Sequence, residues 1–334
     1  MTASSMRAIV IARPGAPEVL ELRTVPRPAP RDREVLVRVR AAGVNRADLL
    51  QREGRYPAPP GFPADIPGLE FAGEVEALGP AASRWKTGDR VLGLTGGGAY
   101  AGSVLAHEDT LARIPAALDF ASAAAIPEAF ITAHDALAQA EMRAGDLVLV
   151  HAVGSGVGLA AVQLVRALGG VPYGTARRES KLAAARACGM EAGAVMSASL
   201  AELAPAVATW TNGHGVRIVL DLLGGAYTGA SVAVLAPRGC LMLIGTLAGG
   251  RTDLPLGAVL RGRLTIRGTA LRARPLDEKI AVTRAFEREV LPRFERGELR
   301  ATIDGVFPIA EAAAAHERMA SNEGAGKLVL IVSE

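Results

Sequence analysis

Residues Leu147–Val165 read LVLVHAVGSGVGLAAVQLV and decide the fold. The opening Leu147–Val150 has the length of a buried strand, three glycines then interrupt the chain, and an apolar helical period follows at once. A helix that starts at such a turn offers free N–H groups and its positive dipole end to a pyrophosphate. The stretch therefore predicts a dinucleotide cradle. Such turns also form for packing alone, and the spacing departs from G-x-G-x-x-G because Leu159 occupies the third glycine position.

The chain on either side of this stretch has two textures. From about Pro127 onward, apolar strand runs alternate with Ala-rich helical periods, which predicts a doubly wound parallel sheet covered by helices on both faces. Residues 6 to about 125 instead contain short strands separated by Pro and Gly, and Glu34–Arg40 alternates polar with apolar residues. The sequence predicts an α/β protein with a mainly antiparallel β part and a parallel-sheet part.

The residues after the second strand of the parallel sheet indicate which dinucleotide is bound. An NAD site normally has an acid at that strand end, whereas a 2′-phosphate requires cations. Here Val171–Thr175 is followed by Arg177, Arg178 and Lys181, with no acid at the strand end. This pattern favours NADP(H) over NAD(H). The alternative is that these cations are only the solvated start of a helix.

Composition excludes several classes of protein. The 334 residues suggest two domains, and 50% hydrophobic with 21% charged residues excludes intrinsic disorder. A net charge of +3 is too small for a nucleic-acid-binding charge pattern. Two cysteines, Cys188 and Cys240, cannot build a disulfide framework or a Cys-rich metal cluster. Without a signal peptide or a membrane span, we expect a cytoplasmic protein.

The inventory of reactive side chains leaves hydride transfer as the favoured chemistry. The five histidines are scattered without metal-ligand spacing, and no G-x-S-x-G nucleophile elbow occurs. In hydride transfer the cofactor supplies the reactivity, and the protein supplies orientation and electrostatics.

Three motifs carry a resemblance to a known family. They are GVNRADLLQREGRY at residues 43–56, PGLEFAGEV at residues 67–75 and KTGDRV at residues 86–91. With these motifs the chain resembles the zinc-independent quinone oxidoreductases, the zeta-crystallin-like branch of the medium-chain dehydrogenase/reductase superfamily. The resemblance implies a discontinuous GroES-like catalytic domain (residues 1–126 and 269–334), a Rossmann domain (residues 127–268), and a homodimer formed through sheet edges near residues 241–271.

The same resemblance implies a site without metal. Zinc-dependent members place Cys near position 45 and His within Gly-His-Glu, whereas this chain has Asn45 and Gly68-Leu69-Glu70. A four-cysteine structural zinc lobe is also missing from the sequence. Alcohol dehydrogenation is therefore disfavoured, because no metal would polarise the alcohol.

The resemblance also assigns site residues. Asn45 and Tyr56 would lie beside the substrate and the nicotinamide. The other cofactor contacts would be Thr132 at the carboxamide, Ser155, Gly156 and Val157 at the pyrophosphate, Arg177, Arg178 and Lys181 at the 2′-phosphate, and Gly245 and Asn322 elsewhere on the cofactor. Each has a simpler alternative: Asn45 as a turn residue, Tyr56 as a loop anchor, Thr132 as a helix-start hydroxyl.

The sequence thus predicts an NADPH-dependent quinone oxidoreductase in which Asn45 or Tyr56 donates a hydrogen bond to a developing oxyanion. It offers no compelling general acid, so water could protonate the product. One rival is an enone or 2-alkenal reductase on the same scaffold. Another is a nucleotide-sensing or RNA-binding protein, with Arg261–Arg263 and Arg272–Arg274 as its footprint. The acceptor's identity and the number of electrons per step stay open.

Overall fold

The computed structural model describes residues 5–333 and divides into two compact units. The first unit joins the chain up to residue 131 with the chain from residue 271 onward. The second unit spans residues 132–270. The sequence places the corresponding boundaries after residues 126 and 268, within a few residues of these positions.

The N-terminal part of the first unit consists mainly of strands. These are β1 (Ser5–Ile11), β2 (Leu20–Pro26), β3 (Glu34–Val44), β4 (Glu70–Leu78), β5 (Arg90–Leu94), β6 (Ser103–His107) and β7 (Leu111–Arg113). Two short helices also occur, α1 (Arg46–Arg52) and α2 (Phe120–Ala124), and a π-helical turn follows at Pro127–Ile131. The strand texture of the sequence does not predict α1. This helix begins where the Asn45 N–H donates to Asp48 Oδ2 at 2.8 Å, which ties down the helix start.

The second unit is a parallel sheet with helices between its strands. The strands are β8 (Leu147–Val150), β9 (Val171–Ala176), β10 (Ala192–Val195), β11 (Val216–Asp221), β12 (Leu235–Leu243) and β13 (Thr265–Gly268). The helices are α3 (Thr132–Gln139), α4 (Gly156–Ala167), α5 (Glu179–Ala187), α6 (Leu203–Trp210), α7 (Ala226–Val232) and α8 (Leu256–Gly262). The strand order β10-β9-β8-β11-β12-β13 confirms the predicted doubly wound Rossmann arrangement.

The C-terminal part of the chain completes the first unit. It contains α9 (Leu276–Glu289), α10 (Leu291–Glu295), β14 (Ile303–Pro308), α11 (Ala312–Ser321) and β15 (Lys327–Ile331). Strand β15 pairs antiparallel with β3 in a seven-stranded sheet of order β14-β15-β3-β4-β5-β7, with β6 also on β3. The predicted mainly-β domain is confirmed. Because Leu328 pairs with Val44, the last strand places Lys327 beside the end of β3.

Each unit has its own apolar core. In the first unit Phe71 and Leu111 are fully buried between the sheet and its helices, and in the second unit Leu149, Val219 and Leu241 fill the central strands. These central strands are apolar on both faces because helices cover both sides of a parallel sheet.

A buried histidine also lies in each core. In the second unit, His151 Nδ1 is 2.7 Å from Thr175 Oγ1 and Nε2 is 2.8 Å from Ser231 Oγ. Ser231 donates its own proton to the Tyr227 carbonyl, so its oxygen accepts from His151 Nε2–H. In the first unit His316 contacts Tyr100 and is fully buried. Burial lowers the pKa of His151 to about 4 and that of His316 to about 3.

We expect His151 to make the free energy of unfolding fall as the pH is lowered from about 6.5 towards 4. The unfolded chain takes up a proton in that range and the folded chain does not, so stability present above pH 6.5 is lost below it. His151→Gln should flatten this dependence by up to about 1.4 kcal/mol per pH unit. Urea unfolding at several pH values measures the slope.

The matched control is His214→Gln, which changes an exposed histidine of the same unit and should leave the slope unchanged. Equal slopes for the wild-type protein and His151→Gln would contradict the prediction.

Candidate functional site

The glycine turn of the second unit connects β8 to α4. Ser155 caps the helix, because its Oγ accepts a hydrogen bond from the Gly158 N–H at 3.1 Å. Gly156 and Val157 are the first two helical residues, so their N–H groups have no intrahelical carbonyl to bond. The three predicted pyrophosphate-binding residues therefore lie together at a helix start that can receive an anion.

Two glycines of this turn are required by close packing. A Cβ on Gly158 would lie 2.6 Å from the Val153 carbonyl oxygen, so only glycine lets α4 approach the turn this closely. A Cβ on Gly154 would lie 2.6 Å from Cβ of Lys181. Close helix packing, the role of the third glycine in G-x-G-x-x-G, is thus performed by Gly158 rather than by the residue at position 159. The absence of a side chain at Gly154 lets the Lys181 side chain pack against the turn.

The predicted 2′-phosphate cations follow the end of β9. Arg177 and Arg178 are exposed, and Arg178 is the residue at which α5 starts. Arg177 is near Tyr227: burial raises the pKa of that phenol, and the guanidinium opposes the shift. The structure therefore brings Lys181 to the glycine turn and leaves the two arginines at the adjacent strand end.

Thr132 and Gly245 also lie in the second unit. Thr132 begins α3 and is buried, and within residues 5–333 its Oγ1 has no hydrogen-bond partner. Gly245 follows β12, where a Cβ would lie 2.7 Å from the Leu222 carbonyl oxygen. A buried hydroxyl without a partner, a helix start open to an anion and backbone kept bare of side chains together fit a nicotinamide dinucleotide.

In the first unit Asn45 belongs to a buried ionic network. Its Nδ2 donates to Glu70 Oε1 at 2.8 Å, and its Oδ1 accepts from Lys327 Nζ. Lys327 Nζ is also 2.5 Å from Glu70 Oε1 and donates to the Val44 carbonyl at 3.0 Å. Asn45 is thus the turn residue at the start of α1, as its simpler interpretation has it. Its contact with substrate stays a prediction.

A second carboxylate, Asp48, lies beneath the same turn. It accepts from the Asn45 N–H at 2.8 Å, the Gly68 N–H at 3.0 Å and the Tyr100 hydroxyl at 3.2 Å. Burial raises its pKa to about 6, although both backbone donors act in the opposite direction. Gly68 has a φ of +102°, and a Cβ there would lie 2.5 Å from the Tyr100 ring, so this position requires glycine.

Tyr56 is held by Arg272. The guanidinium carbon lies 4.8 Å from the centre of the Tyr56 ring, and Nη1 donates to the Tyr56 carbonyl at 3.0 Å. Arg272 also donates to the Gly96 carbonyl at 2.9 Å and to Gln51 Oε1 at 2.5 Å. Burial raises the pKa of the Tyr56 phenol, which therefore stays protonated at neutral pH. Arg272 is itself buried, so it is not available to the RNA-binding footprint suggested by the sequence.

Asn322 occupies the left-handed position at the end of α11, with a φ of 56°. Its Oδ1 accepts from Arg46 Nη2 at 2.7 Å, and its Nδ2 donates to the Ala320 carbonyl at 2.7 Å. These contacts fix the helix end in the first unit. A contact with the cofactor stays a prediction.

A cavity of about 710 Å³ opens within the first unit. Apolar residues form much of its wall, among them Phe62, Ile66, Leu69 and Ile131. Five charged or titratable side chains also line it: Glu34, His107, Glu128, Arg272 and Lys279. An apolar cavity of this size with a few polar groups is typical of a small-molecule site.

The sequence analysis missed Glu128. Its backbone N–H donates to Glu70 Oε2 at 2.7 Å, and burial together with the Glu70 charge raises its pKa to about 7. The only sequence signal is an acid in the otherwise apolar run AAAIPEAFI, directly before Thr132.

Within residues 5–333 no group of three or more His, Cys, Asp or Glu side chains is placed to hold a metal ion. None of the described helices combines the length and the apolar character that a bilayer span requires.

Comparisons with known proteins agree with this architecture. Residues 31–116 match the family model "Alcohol dehydrogenase GroES-like domain", and residues 156–287 match "Zinc-binding dehydrogenase". A quinone oxidoreductase of Pseudomonas aeruginosa is 38% identical over 331 residues, which cover 97% of this chain and 99% of that protein. The human quinone oxidoreductase is 32% identical, with 98% of each chain covered.

Solved structures are similar as well. A Pseudomonas syringae quinone oxidoreductase has a TM-score of 0.84 at 30% identity, covering 98% of this chain and 100% of that one. A mycobacterial protein solved in complex with NADPH has a TM-score of 0.85 at 29% identity, with the same coverage. With both family models in order and near-full-length relatives above 30% identity, the chain belongs to the quinone oxidoreductase branch of the medium-chain dehydrogenase/reductase superfamily and is an oxidoreductase.

Proposed function

We propose that this protein is an NADPH-dependent quinone oxidoreductase that transfers a hydride, or electrons, from NADPH to a quinone without a metal ion. The observation that carries the proposal is the glycine turn of the doubly wound sheet, with Lys181 packed against it and cations in place of an acid after β9. The quinone oxidoreductase names of the relatives and the NADPH complex of a structural neighbour support it.

Residues of the second unit would hold the cofactor. The N–H groups of Gly156 and Val157 would bind the pyrophosphate, since a helix start carries partial positive charge. Lys181, Arg177 and Arg178 would surround a 2′-phosphate. Bound NADPH supplies the hydride, and the buried Thr132 hydroxyl, which has no partner within the described chain, would fix the carboxamide.

The cavity of the first unit would hold the acceptor. Its apolar wall suits a quinone ring, and the phenol of Tyr56 is held by Arg272 and protonated at neutral pH. A protonated phenol can donate a hydrogen bond to the acceptor oxygen as negative charge develops there. Asn45 would act beside it. Rate enhancement would otherwise come from orientation and the exclusion of water.

A metal is not part of this proposal because the donor set is wrong. The positions that carry zinc ligands in the metal-dependent relatives are Asn45 and Leu69 here. Glu70 is fully buried in an ion pair with Lys327 at 2.5 Å, which leaves it engaged with protein groups.

An NADPH-dependent enone or 2-alkenal reductase is the second candidate. Glu128, which lines the cavity and has a pKa raised to about 7, favours it, since reduction of a conjugated C=C needs a proton at carbon. Oxidation of NADPH against a panel of quinones and 2-alkenals, with NADH in parallel, separates the candidates. Turnover of quinones with NADPH preferred supports the main proposal. Turnover of alkenals alone supports the second.

Replacing Arg177 by Ala and Lys181 by Met should weaken NADPH binding about 10- to 100-fold and leave NADH binding nearly unchanged. A hydrogen bond to a charged group contributes about 1.5–3 kcal/mol, and about 1.4 kcal/mol is tenfold in affinity. Methionine keeps the packing against Gly154 while the charge is removed. Calorimetric titration with each dinucleotide measures the effect.

Arg186→Ala is the control for this experiment, since Arg186 lies on the same helix α5 and pairs with Glu179 at 2.5 Å. Equal weakening of NADPH and NADH by the double variant would contradict a 2′-phosphate site.

Tyr56→Phe should lower kcat/KM for the quinone about 10- to 100-fold, since it removes one donor to a developing oxyanion and keeps the ring on Arg272. Steady-state kinetics at saturating NADPH measure the loss. Tyr173→Phe is the control: that hydroxyl donates to the Trp210 carbonyl at 3.1 Å, and its removal should leave kcat/KM unchanged. Unchanged kinetics for Tyr56→Phe would remove the phenol from the mechanism.

The proposal also includes a homodimer that forms through the edge of the parallel sheet at β13. Strand β13 is the last strand of the parallel sheet, and all four of its residues are exposed. The neighbouring α8 exposes Leu256 and Leu260, at 72% and 79%. An exposed edge strand next to apolar side chains favours pairing with a second copy of the chain.

Ile266→Asp on β13 should convert this dimer to a monomer, because a buried unpaired charge opposes edge pairing. Val195→Asp, at the opposite edge of the same sheet, is the control. The two side chains have similar exposure, 37% and 41%. Light scattering after size exclusion gives the mass. A monomeric wild-type protein, or dissociation by Val195→Asp alone, would contradict the assignment.

A further inference from the structure

Glu128 lies where two features of the first unit meet. Its backbone is in the π-helical turn Pro127–Ile131, and its N–H donates to Glu70 Oε2 at 2.7 Å. Its side chain lines the cavity, together with the apolar Leu69 and Ile131. The turn thus anchors the backbone of Glu128 on a buried carboxylate and leaves its own carboxyl group facing the space proposed for the acceptor.

The charges around Glu128 are unevenly shared. Lys327 on β15 is bound to Glu70 on β4, so this buried cation neutralises a different carboxylate. Arg272 donates to neutral oxygens, those of Gly96, Tyr56 and Gln51. Glu128 itself has no ion pair within residues 5–333.

Four charged groups act on the proton of Glu128. Burial and the negative charges of Glu70 and Asp48 favour the protonated form, while Lys327 and Arg272 oppose it. The balance raises the pKa of Glu128 to about 7. A carboxyl group with this pKa can donate a proton near neutral pH and can then take up a proton from water again.

We infer that Glu128 is the general acid of the reaction and delivers a proton to the acceptor bound in the cavity of the first unit. This inference rests on the proposed function, which supplies NADPH as the reductant. It replaces bulk water as the proton source and adds a catalytic residue that the motifs of the sequence do not indicate.

The step balances as follows for a quinone. The acceptor takes a hydride, which brings two electrons and one hydrogen, and NADPH is oxidised to NADP⁺. The O–H bond of the Glu128 carboxyl breaks as a new O–H bond forms on the reduced acceptor, giving the hydroquinone. The Glu128 carboxylate then takes a proton from water. For a 2-alkenal the same proton goes to the carbon next to the carbonyl.

The kinetic test compares Glu128→Gln and Glu128→Asp with the wild-type protein across pH. Wild-type kcat/KM should be level at low pH and fall about tenfold per unit above pH about 7, as the carboxyl loses its proton. Glu128→Gln should lower kcat/KM about 100-fold and abolish this limb of the profile. Glu128→Asp should keep a limb at a shifted position, which a purely structural role would not produce.

Glu34→Gln is the matched control, since Glu34 is a second glutamate that lines the same cavity. Glu34 is the first residue of β3, and its carboxylate accepts a hydrogen bond from the backbone N–H of Arg31 at 2.9 Å. Glu34→Gln should keep the fall of kcat/KM above pH about 7, because it leaves the Glu128 carboxyl in place.

A titration of the cofactor-free protein provides a readout that does not depend on turnover. Infrared difference spectra should show a protonated carboxyl that is lost as the pH is raised through about 7, is absent in Glu128→Gln and is present in Glu34→Gln. Circular dichroism of each variant verifies the fold.

The outcomes separate this inference from the proposed function. If the wild-type protein oxidises NADPH with quinones and Glu128→Gln keeps both its rate and its pH limb, the inference is overturned and the proposed function stands. An absent carboxyl signal at neutral pH also overturns it. If the wild-type protein oxidises NADPH with none of the quinones or 2-alkenals, the proposed function is overturned, and the inference that rests on it falls with it.

Discussion

The buried ion pair between Lys327 and Glu70 organises the first unit. Its two partners are fully or nearly fully buried and come from β15 and β4, and the Lys327 ammonium also bonds Asn45 and the carbonyl at the end of β3. A charge removed from water is tolerated only when its hydrogen-bonding capacity is satisfied, so these strands must meet in this register. The pairing of the C-terminal strand β15 with β3 and the geometry around Asn45 therefore depend on the same buried ion pair.

That constraint also determines the electrostatics of the cavity. Within the described chain, Lys327 forms its ion pair with Glu70 and not with Glu128 or Asp48. Burial raises the pKa of both of these carboxyl groups. Arg272 donates its hydrogen bonds to backbone and amide oxygens, among them the Tyr56 carbonyl. The result is an apolar cavity lined by Arg272 and by Glu128, whose pKa is raised to about 7.

The second unit depends on close packing at one turn. Gly158 allows α4 to approach the carbonyls of the turn after β8, and Gly154 gives room to the Lys181 side chain. The packing of Lys181 against Gly154 is a tertiary contact. The strand, the turn, the helix and the cations after β9 were predictable, because they follow from local sequence. The role of Gly158 was not, because the usual spacing pointed to position 159. Steric contact with the Val153 carbonyl, rather than motif spacing, identifies it.

The sequence by itself determined the two textures of the chain, the doubly wound order that follows from alternating strands and helices, and the family, because these depend on local periodicity and ordered motifs. Only the tertiary structure decided the partners of buried charges. Asn45 and Lys327 are 282 residues apart in the chain, and Glu128 is 58 residues from Glu70. Proton affinities depend on burial and on neighbours brought together by folding, so Glu128 becomes visible as a candidate acid only in three dimensions.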